Sequence, residues 1–246
     1  MKAFGKQVLI QLKMDMRDKG TFMVFYLVPL AFYLVVGAVF SSVNPLISET
    51  LSAVMAIFSI TMGAVIGLPP TIVKMRETSV FRAYKINGIP NLAVMLSLGV
   101  SAFLHLSIVA LIISISAPYI FDAQVPENIL GYGLIMVVFL TCSVVIGLLI
   151  GVVAKSQGTA MMLSQAVFMP SLMLSGIMFP ATMLPEALMY AGYALPATHA
   201  MKGFASLAYG MPTDIGSFTS LGIIIGILIL ALGLTAYRVE KITRIN

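Results

Sequence analysis

Six long stretches of the sequence contain no aspartate, glutamate, lysine or arginine. About 17–25 mostly apolar residues cross a bilayer as a helix, and a backbone in lipid must satisfy its hydrogen bonds internally. Of the 246 residues, 60% are hydrophobic and 9% are charged, which excludes a water-soluble core of this size. We therefore expect an all-α integral membrane protein with six transmembrane helices in a single domain, residues 1–246. The predicted spans are approximately 21–40, 51–73, 91–118, 129–154, 159–178 and 215–237.

The basic residues are distributed asymmetrically about these six spans. Thirteen of the 14 lysines and arginines lie in the N-terminal segment, the connections 2–3 and 4–5, and the C-terminal segment. Lys202 is the exception. Connections rich in Lys and Arg remain on the cytoplasmic side of a membrane. The pattern predicts that both termini are cytoplasmic, and it explains the net charge of +5 without a nucleic-acid partner.

Residues 1–18 have the pattern of an amphipathic helix. At about 100° per residue, one arc contains the apolar side chains of Phe4, Val8, Leu9, Leu12 and Met16. A neighbouring arc is cationic and contains Lys2, Lys6, Lys13 and Arg17. We expect a helix that lies in the cytoplasmic interface, with its apolar side in lipid and its cationic side toward the headgroups. A frayed basic tail is the alternative.

The connection between spans 2 and 3 reads 74-KMRETSVFRAYKINGIP-90. The preceding Pro69-Pro70 predicts that the second span stops or kinks there, because proline lacks a backbone N–H. Thr78 or Ser79 is a candidate helix cap, and Asn87-Gly88 is a stop signal. The segment therefore predicts a short cytoplasmic helix over about 78–87.

This short helix concentrates apolar surface at Val80, Phe81 and Tyr84, while Arg82 and Lys85 take the other positions. Exposed aromatics beside arginine are typical of a protein-binding knob. Alternatively, Phe81 and Tyr84 lie in the lipid interface, where aromatic residues are common. The sequence is compatible with both interpretations.

Residues 175–200, SGIMFPATMLPEALMYAGYALPATHA, are apolar yet interrupted by three prolines. Pro185 and Glu186 suit the first turn of a short helix that ends by about Leu195. A second helix fits 197–209, before Gly210. Neither is long enough to cross a core of about 30 Å. We expect a re-entrant helical pair over about 183–209, packed against protein or lining a cavity.

In this order, the motifs of the chain resemble the permease subunits of type-2 ABC transporters, which are mostly exporters. The resemblance covers nearly the whole chain. In the first cytoplasmic connection it rests on Arg76-Glu77, Phe81-Arg82 and Gly88-Ile89-Pro90. Near the end of the chain it rests on Ser175-Gly176, Phe179-Pro180, Leu184-Pro185 and Leu195-Pro196-Ala197-Thr198-His199. Family members often have Gly-Thr after the acidic residue, where this chain has Thr78-Ser79.

The resemblance implies two copies of an ABC ATPase subunit, which bind ATP and Mg, and a second permease chain, identical or homologous. It implies the inner membrane of a prokaryote and contact with the ATPase through the N-terminal helix and a coupling helix. The implied coupling residues are Arg76, Glu77, Thr78, Val80, Phe81, Arg82 and Tyr84. Residues implied for the interfacial helix are Lys2, Phe4, Lys6, Lys13 and Arg17. The implied extracellular gate contains Phe179, Pro180, Pro185, Glu186, Pro196 and His199.

Glu77 is an acidic residue among several basic ones. It is expected to bond a basic residue or a helix terminus of the ATPase, or else to form a local salt bridge with Lys74 or Arg76, which contributes little when exposed. Glycine pairs spaced i, i+4 are expected to allow close helix packing within the bundle in most cases. These pairs are Gly63/Gly67, Gly147/Gly151 and Gly222/Gly226.

The sequence contains no ATP site of its own. Residues 151-GVVAKS-156 lack the spacing and the glycine of a phosphate-binding loop. We expect no enzyme activity and no cofactor on this chain, and an apolar or amphipathic cargo: a drug, lipid, peptide or glycolipid. Methionines around the fifth span suit varied apolar cargo, although Met is also ordinary packing material. The candidate cargo-path residues are Pro29, Met162, Gln165, Met169 and Met173.

Three other functional classes are alternatives to an exporter permease. An ion-coupled secondary transporter, or a sodium-extruding permease, needs ionisable groups at depth. Only His105 is a candidate, with Gln165 elsewhere, and a histidine without a carboxylate is a poor relay. An intramembrane hydrolase needs paired catalytic groups, whereas the sequence predicts every carboxylate outside the spans. A non-transporting regulatory subunit is the third alternative.

Overall fold

The computed structural model describes the backbone of residues 2–43, 45–178 and 183–245, and the side chains of 4–41, 49–178 and 183–240. Within these ranges the chain forms helices and turns. The helices are α1 (Lys2–Arg17), α2 (Lys19–Phe22), α3 (Val28–Val43), α4 (Pro45–Thr61), α5 (Leu68–Glu77), α6 (Val80–Ile86), α7 (Asn91–Phe121), α8 (Ile129–Val153), α9 (Gln157–Leu174), α10 (Glu186–Gly192), α11 (Pro196–Gly203) and α12 (Ser217–Ile245). Three π-helical segments join them: Met23–Leu27, Met62–Gly67 and Phe204–Ala208.

Five described helices are long and apolar enough to cross a membrane. They are Lys19–Ser41, Glu49–Glu77, Asn91–Phe121, Ile129–Val153 and Ser217–Glu240, which correspond to predicted spans 1, 2, 3, 4 and 6. The predicted fifth span, 159–178, forms the shorter α9, which has 18 residues and is not among these five. At 1.5 Å per residue, α9 is about 27 Å long, slightly less than a bilayer core.

The second span does not stop at Pro69-Pro70. Those prolines lie in the first turn of α5, directly after a π-helical segment, and α5 continues to Glu77. The π-helical segment Met62–Gly67 precedes them and joins α4 to α5. Widened turns of this kind absorb local changes in the helical hydrogen-bond pattern. The sequence therefore located an irregularity correctly but did not show that the helix continues through it.

Helix α8 lies at the centre of the bundle and packs against α5, α7, α9 and α12. Its close contact with the second span depends on glycine. A Cβ at Gly147 would overlap the carbonyl oxygen of Ala64, and one at Gly151 would lie 2.6 Å from Cδ1 of Ile72.

The expectation of close glycine packing is confirmed for two of the three pairs. Gly63 and Gly67 likewise contact side chains of α7 and of the first span, through Leu106 and Val24. Gly222 and Gly226 are the exception, since a Cβ at either would meet nothing within 4 Å. Those two residues lie on α12, whose surface is largely exposed.

Gly147→Ala should lower the thermal stability of the protein in detergent. The added methyl group meets rigid backbone on the second span, and overpacking of this kind typically costs about 1–3 kcal/mol. Gly133→Ala on the same helix is the matched control, because a Cβ there meets nothing within 4 Å. Unfolding monitored by circular dichroism measures both variants, and an equal effect of the two would contradict the assigned contact.

Candidate functional site

The end of the second span is tied to the turn between α8 and α9. The Arg76 guanidinium donates to the carbonyl oxygen of Val152 at 3.3 Å and to that of Ala154. Gln157, the first residue of α9, donates to the Glu77 carboxylate at 3.0 Å. Among the described residues Glu77 forms no salt bridge, so the predicted pairing with Lys74 or Arg76 is not observed. Arg76 and Glu77 thus connect α5 to two further helices.

Helix α6 begins without the predicted side-chain cap. The Thr78 hydroxyl bonds back to the carbonyl oxygen of Lys74 at 2.8 Å. Ser79 has a left-handed backbone, with φ of 58°, and its side chain makes no capping bond. The predicted stop is confirmed, because α6 ends at Ile86 and Gly88 has φ of 76°. A left-handed conformation of this kind favours glycine.

The two faces of α6 differ from the sequence expectation. Phe81 and Tyr84 are half-buried and pack against the hydrophobic core, so they do not form an exposed aromatic knob. The outward face instead presents Arg82 and Ile86, the latter 77% exposed. The sequence analysis missed Ile86. The available signal was the position of this apolar residue, one helical turn after Arg82 and on the side of the helix away from Phe81 and Tyr84.

The predicted N-terminal helix is observed as α1, and it has a third, polar face that was not recognised in the sequence. Gln7 lies 3.4 Å from the hydroxyl of Ser97 on α7. Asp15 accepts hydrogen bonds from Ser101 at 2.5 Å and from Gln11 at 2.8 Å. The spacing i, i+4, i+8 of these three α1 residues was the available signal. The predicted apolar and cationic side chains that the structure describes are exposed or half-buried: Phe4, Lys6, Val8, Leu9, Leu12, Lys13, Met16 and Arg17.

His105 does have a carboxylate neighbour, contrary to the sequence analysis. Its Nε2 lies 3.9 Å from the Asp15 carboxylate, and its Nδ1 lies 2.6 Å from the hydroxyl of Tyr26. The imidazole is 3% exposed. Asp15 was assigned to the region outside the spans because helix periodicity does not show that α1 packs against α7. The resulting cluster joins α1, the first span and the third span.

Helices α10 and α11 form the predicted pair of short helices. Pro185 precedes α10, Glu186 lies in its first turn, and Pro196 is the buried first residue of α11. Nε2 of His199 lies 2.8 Å from the carbonyl oxygen of Tyr193. The predicted gate residues Phe179 and Pro180 lie outside the described residues. Helix α10 ends at Gly192, three residues earlier than predicted.

A polar cluster attaches this helical pair to the segment before α12. Lys202 is 9% exposed, and its ammonium lies 2.5 Å from the Asp214 carboxylate and 4.1 Å from the ring centre of Tyr193. The Tyr193 hydroxyl also donates to Asp214, at 2.5 Å. Partial burial acts to raise the pKa of Asp214, but the bonds from Lys202 and Tyr193 outweigh it and lower that pKa. Sequence reasoning noted Lys202 only as an exception in the charge pattern.

The sequence was also compared with known proteins. The family model described as ABC-2 type transporter matches residues 8–209. The chain belongs to this family. Its members are the permease component of type-2 ABC transporters, a transport component that generally has no catalytic activity. The comparison with curated proteins found no match.

In this ABC-2 permease, spans 1 and 2 meet α9 through three aromatic rings. Phe32 stacks on Phe58 with ring centres 5.3 Å apart, and Phe58 lies 6.0 Å from Phe168 of α9. Pro29 is buried in α3. The other four candidate cargo-path residues lie together on the exposed side of α9: Met162, Gln165, Met169 and Met173.

Asp15→Ala should release α1 from α7, because Ser101 and Gln11 lose their shared acceptor. Asp15→Asn is the matched control, since it keeps the size of the side chain and one acceptor oxygen. Trypsin cleavage of α1 at Lys13 and Arg17 measures the release. We expect faster cleavage of the Ala variant, by about fivefold for the loss of roughly 1 kcal/mol. Cleavage of both variants at the wild-type rate would contradict the docking role of Asp15.

The same contact has a defined pH dependence. Burial raises the pKa of Asp15 above its ordinary value of 3.8, although Ser101, Gln11 and His105 act to lower that pKa and Asp18 acts to raise it. The docked state therefore binds the proton more tightly than the released state does. Docking should weaken as the pH rises through the raised pKa, and this dependence should be absent in Asp15→Asn.

Lys202→Met should loosen the pair α10–α11, because Asp214 and Tyr193 lose their cationic partner. Because the pKa of Asp214 is lowered, its ionised carboxylate stabilises the pair α10–α11 fully above the ordinary aspartate pKa of 3.8. This stabilisation is lost as the pH falls through the lowered pKa. Asp214→Asn removes that dependence. Hydrogen exchange of α10 and α11 amides, compared at equal pH, measures both effects. Unchanged exchange in Lys202→Met would show that the ion pair does not anchor the helical pair.

Proposed function

We propose that this ABC-2 permease exports an apolar or amphipathic cargo across the cytoplasmic membrane of a prokaryote, driven by ATP hydrolysis on a separate ABC ATPase. The cargo class is a drug, lipid, peptide or glycolipid. Two permease chains, identical or homologous, and two ATPase subunits form the transporter. The observation that carries this proposal is that Arg76 and Glu77 link the end of α5, directly before α6, to the end of α8 and to α9.

The outward face of α6 is the proposed ATPase contact. Arg82 and Ile86 present a cation and an apolar group to a partner, a combination common at the centres of protein interfaces. Phe81 and Tyr84 hold α6 to the bundle from its other side. A push on the outward face is therefore transmitted to packed side chains instead of being absorbed by a free loop.

Two routes would carry a displacement of α6 or α1 by the ATPase into the membrane-spanning helices. One runs from α5 through Arg76 to the end of α8 and through Glu77 to α9. The other runs from α1 through Asp15 to α7. Where spans 1 and 2 meet, the π-helical segments Met23–Leu27 and Met62–Gly67 pack against each other. π-helical turns frequently occur at functional sites, and we assign these two the role of hinges.

The exposed side of α9 supports a cargo path between two permease chains. This helix carries Gln165 among methionines, which is a poor surface for lipid but a suitable wall for an amphipathic cargo. The aromatic contact through Phe58 and Phe168 places α9 beside spans 1 and 2. The path would therefore be completed by the second permease chain.

The pair α10–α11 would form the extracellular gate, and both termini would be cytoplasmic. Neither short helix can cross the membrane alone, yet α11 is mostly buried in protein. The ion pair with Asp214 neutralises Lys202, the single basic residue on the proposed outer side.

One observation favours a second function, ion-coupled transport or sodium extrusion. Asp15 and His105 form a buried pair of ionisable groups beside the first and third spans. Groups of this kind at membrane depth commonly mark proton or ion pathways. In the exporter the same pair needs no role in moving ions, because it connects α1 to α7.

Co-expression of the chain with its ATPase subunit tests the proposed function. Retention of the ATPase by the purified permease should fall by on the order of tenfold in Arg82→Glu and Ile86→Glu, since a charge on the outward face of α6 opposes the contact. Val125→Glu is the control. Val125 is exposed beyond the far end of α7.

Full retention in both variants would refute the role of α6. If folded wild-type protein retained no ATPase, the exporter would lack its energy source, and the Asp15–His105 pair would support the ion-coupled alternative instead.

A further inference from the structure

A cavity of about 550 Å³ lies between α6 and the bundle. Its walls come from α5, α6, α7, α8 and α12. The cavity is located where the second and fourth spans end and the third span begins. Helices of these lengths would reach the lipid headgroups at this end. The route from Arg76 to the end of α8 runs along one wall of the cavity.

The walls of the cavity have two chemical zones. Arg76, Arg82 and Lys85 supply cationic groups from α5 and α6. Arg82 is exposed and also lines the cavity, so it lies at the border between the cavity and the outward face of α6. Among the described lining residues there is no carboxylate. The opposite zone is apolar and buried, and it includes Ile72, Met95 and Val152. The cavity therefore offers positive charge on one side and a dry hydrocarbon surface on the other.

Two features hold the positive zone in place. Arg76 is fixed by its bonds to the carbonyl oxygens of Val152 and Ala154, and a guanidinium has further N–H groups available. Helix α7 begins at Asn91, which also lines the cavity. The N–H groups of the first turn of a helix add positive potential. An anion in the cavity would thus meet charge from three elements.

We propose that this cavity binds the phosphate-containing headgroup of an anionic phospholipid. Basic pockets between membrane helices are known to take such headgroups. The headgroup would lie against Arg82 and Arg76, and the start of an acyl chain would cover the half-buried Phe81. A free phosphate would pair with the cations equally well, but it would leave the exposed part of the Phe81 ring in contact with water, which favours the lipid.

A tryptophan reporter tests the proposal in the full-length permease without any ATPase. The chain contains no tryptophan, so Phe81→Trp places a single fluorophore at the cavity wall. The protein is reconstituted into phosphatidylcholine nanodiscs with a minor fraction of brominated phosphatidylglycerol or brominated phosphatidylcholine. Leu230→Trp, at a position 64% exposed on α12, reports the surrounding bilayer.

We expect brominated phosphatidylglycerol to quench Phe81→Trp at a several-fold lower fraction than brominated phosphatidylcholine does, and to quench Leu230→Trp equally with both lipids. Arg82→Gln in the Phe81→Trp background should reduce this preference by about fivefold, the usual contribution of one basic residue near an anionic lipid surface. Lys155→Gln is the matched control, because Lys155 is exposed and does not line the cavity. It should leave the preference unchanged.

Equal quenching of Phe81→Trp by the two lipids would overturn the proposal. Relief of the quenching by millimolar inorganic phosphate, without any preference between the lipids, would assign the cavity to a soluble phosphate compound instead. An equal loss of preference in Arg82→Gln and Lys155→Gln would show that the preference for the anionic lipid comes from the general surface charge of the protein and not from the cavity. Since the ATPase is absent, none of these outcomes depends on the proposed coupling role of α6.

Discussion

The contact between α8 and the second span is the interaction on which the rest of the structure depends. Gly147 and Gly151 leave no side chain between the two helices, so their backbones approach closely. This approach brings Arg76 within reach of the carbonyl oxygens at the end of α8. A helix end in a membrane protein needs partners for its last carbonyl groups, and Arg76 supplies them. One close contact thus determines both the packing of the bundle centre and the anchorage of α6.

Two compact polar clusters attach the peripheral elements to this centre. Asp15, with Ser101 and the neighbouring His105, holds α1 against α7. Lys202 and Asp214 hold the pair α10–α11 beside α12. A buried charge is costly unless it is paired and hydrogen-bonded, so each cluster specifies one arrangement of its helices and disfavours others. We assign movement during transport to both attached elements, α1 and the pair α10–α11.

Some features were predictable because they depend on neighbours in sequence. The span positions follow from charge-free runs, and the end of α6 follows from Asn87-Gly88, since glycine readily adopts the left-handed conformation there. Other features depend on distant residues. Thr78 and Ser79 do not cap α6, and Phe81 and Tyr84 point into the bundle, because the approach of α6 to the core decides which face is buried. The partners of Glu77 and His105 were not predictable for the same reason.

By itself, the sequence determined the helical membrane class, most of the spans, the asymmetry of basic charge and the family motifs. These properties are set by hydropathy and by local backbone preference, which act over a few helical turns. Only the tertiary structure decided that α1 turns its polar face to α7, that Asp15 reaches His105, and that Lys202 finds Asp214. It also decided that cations and apolar side chains from five helices enclose one cavity. The physical reason is that these contacts join residues far apart in the chain, and helix packing alone brings them together.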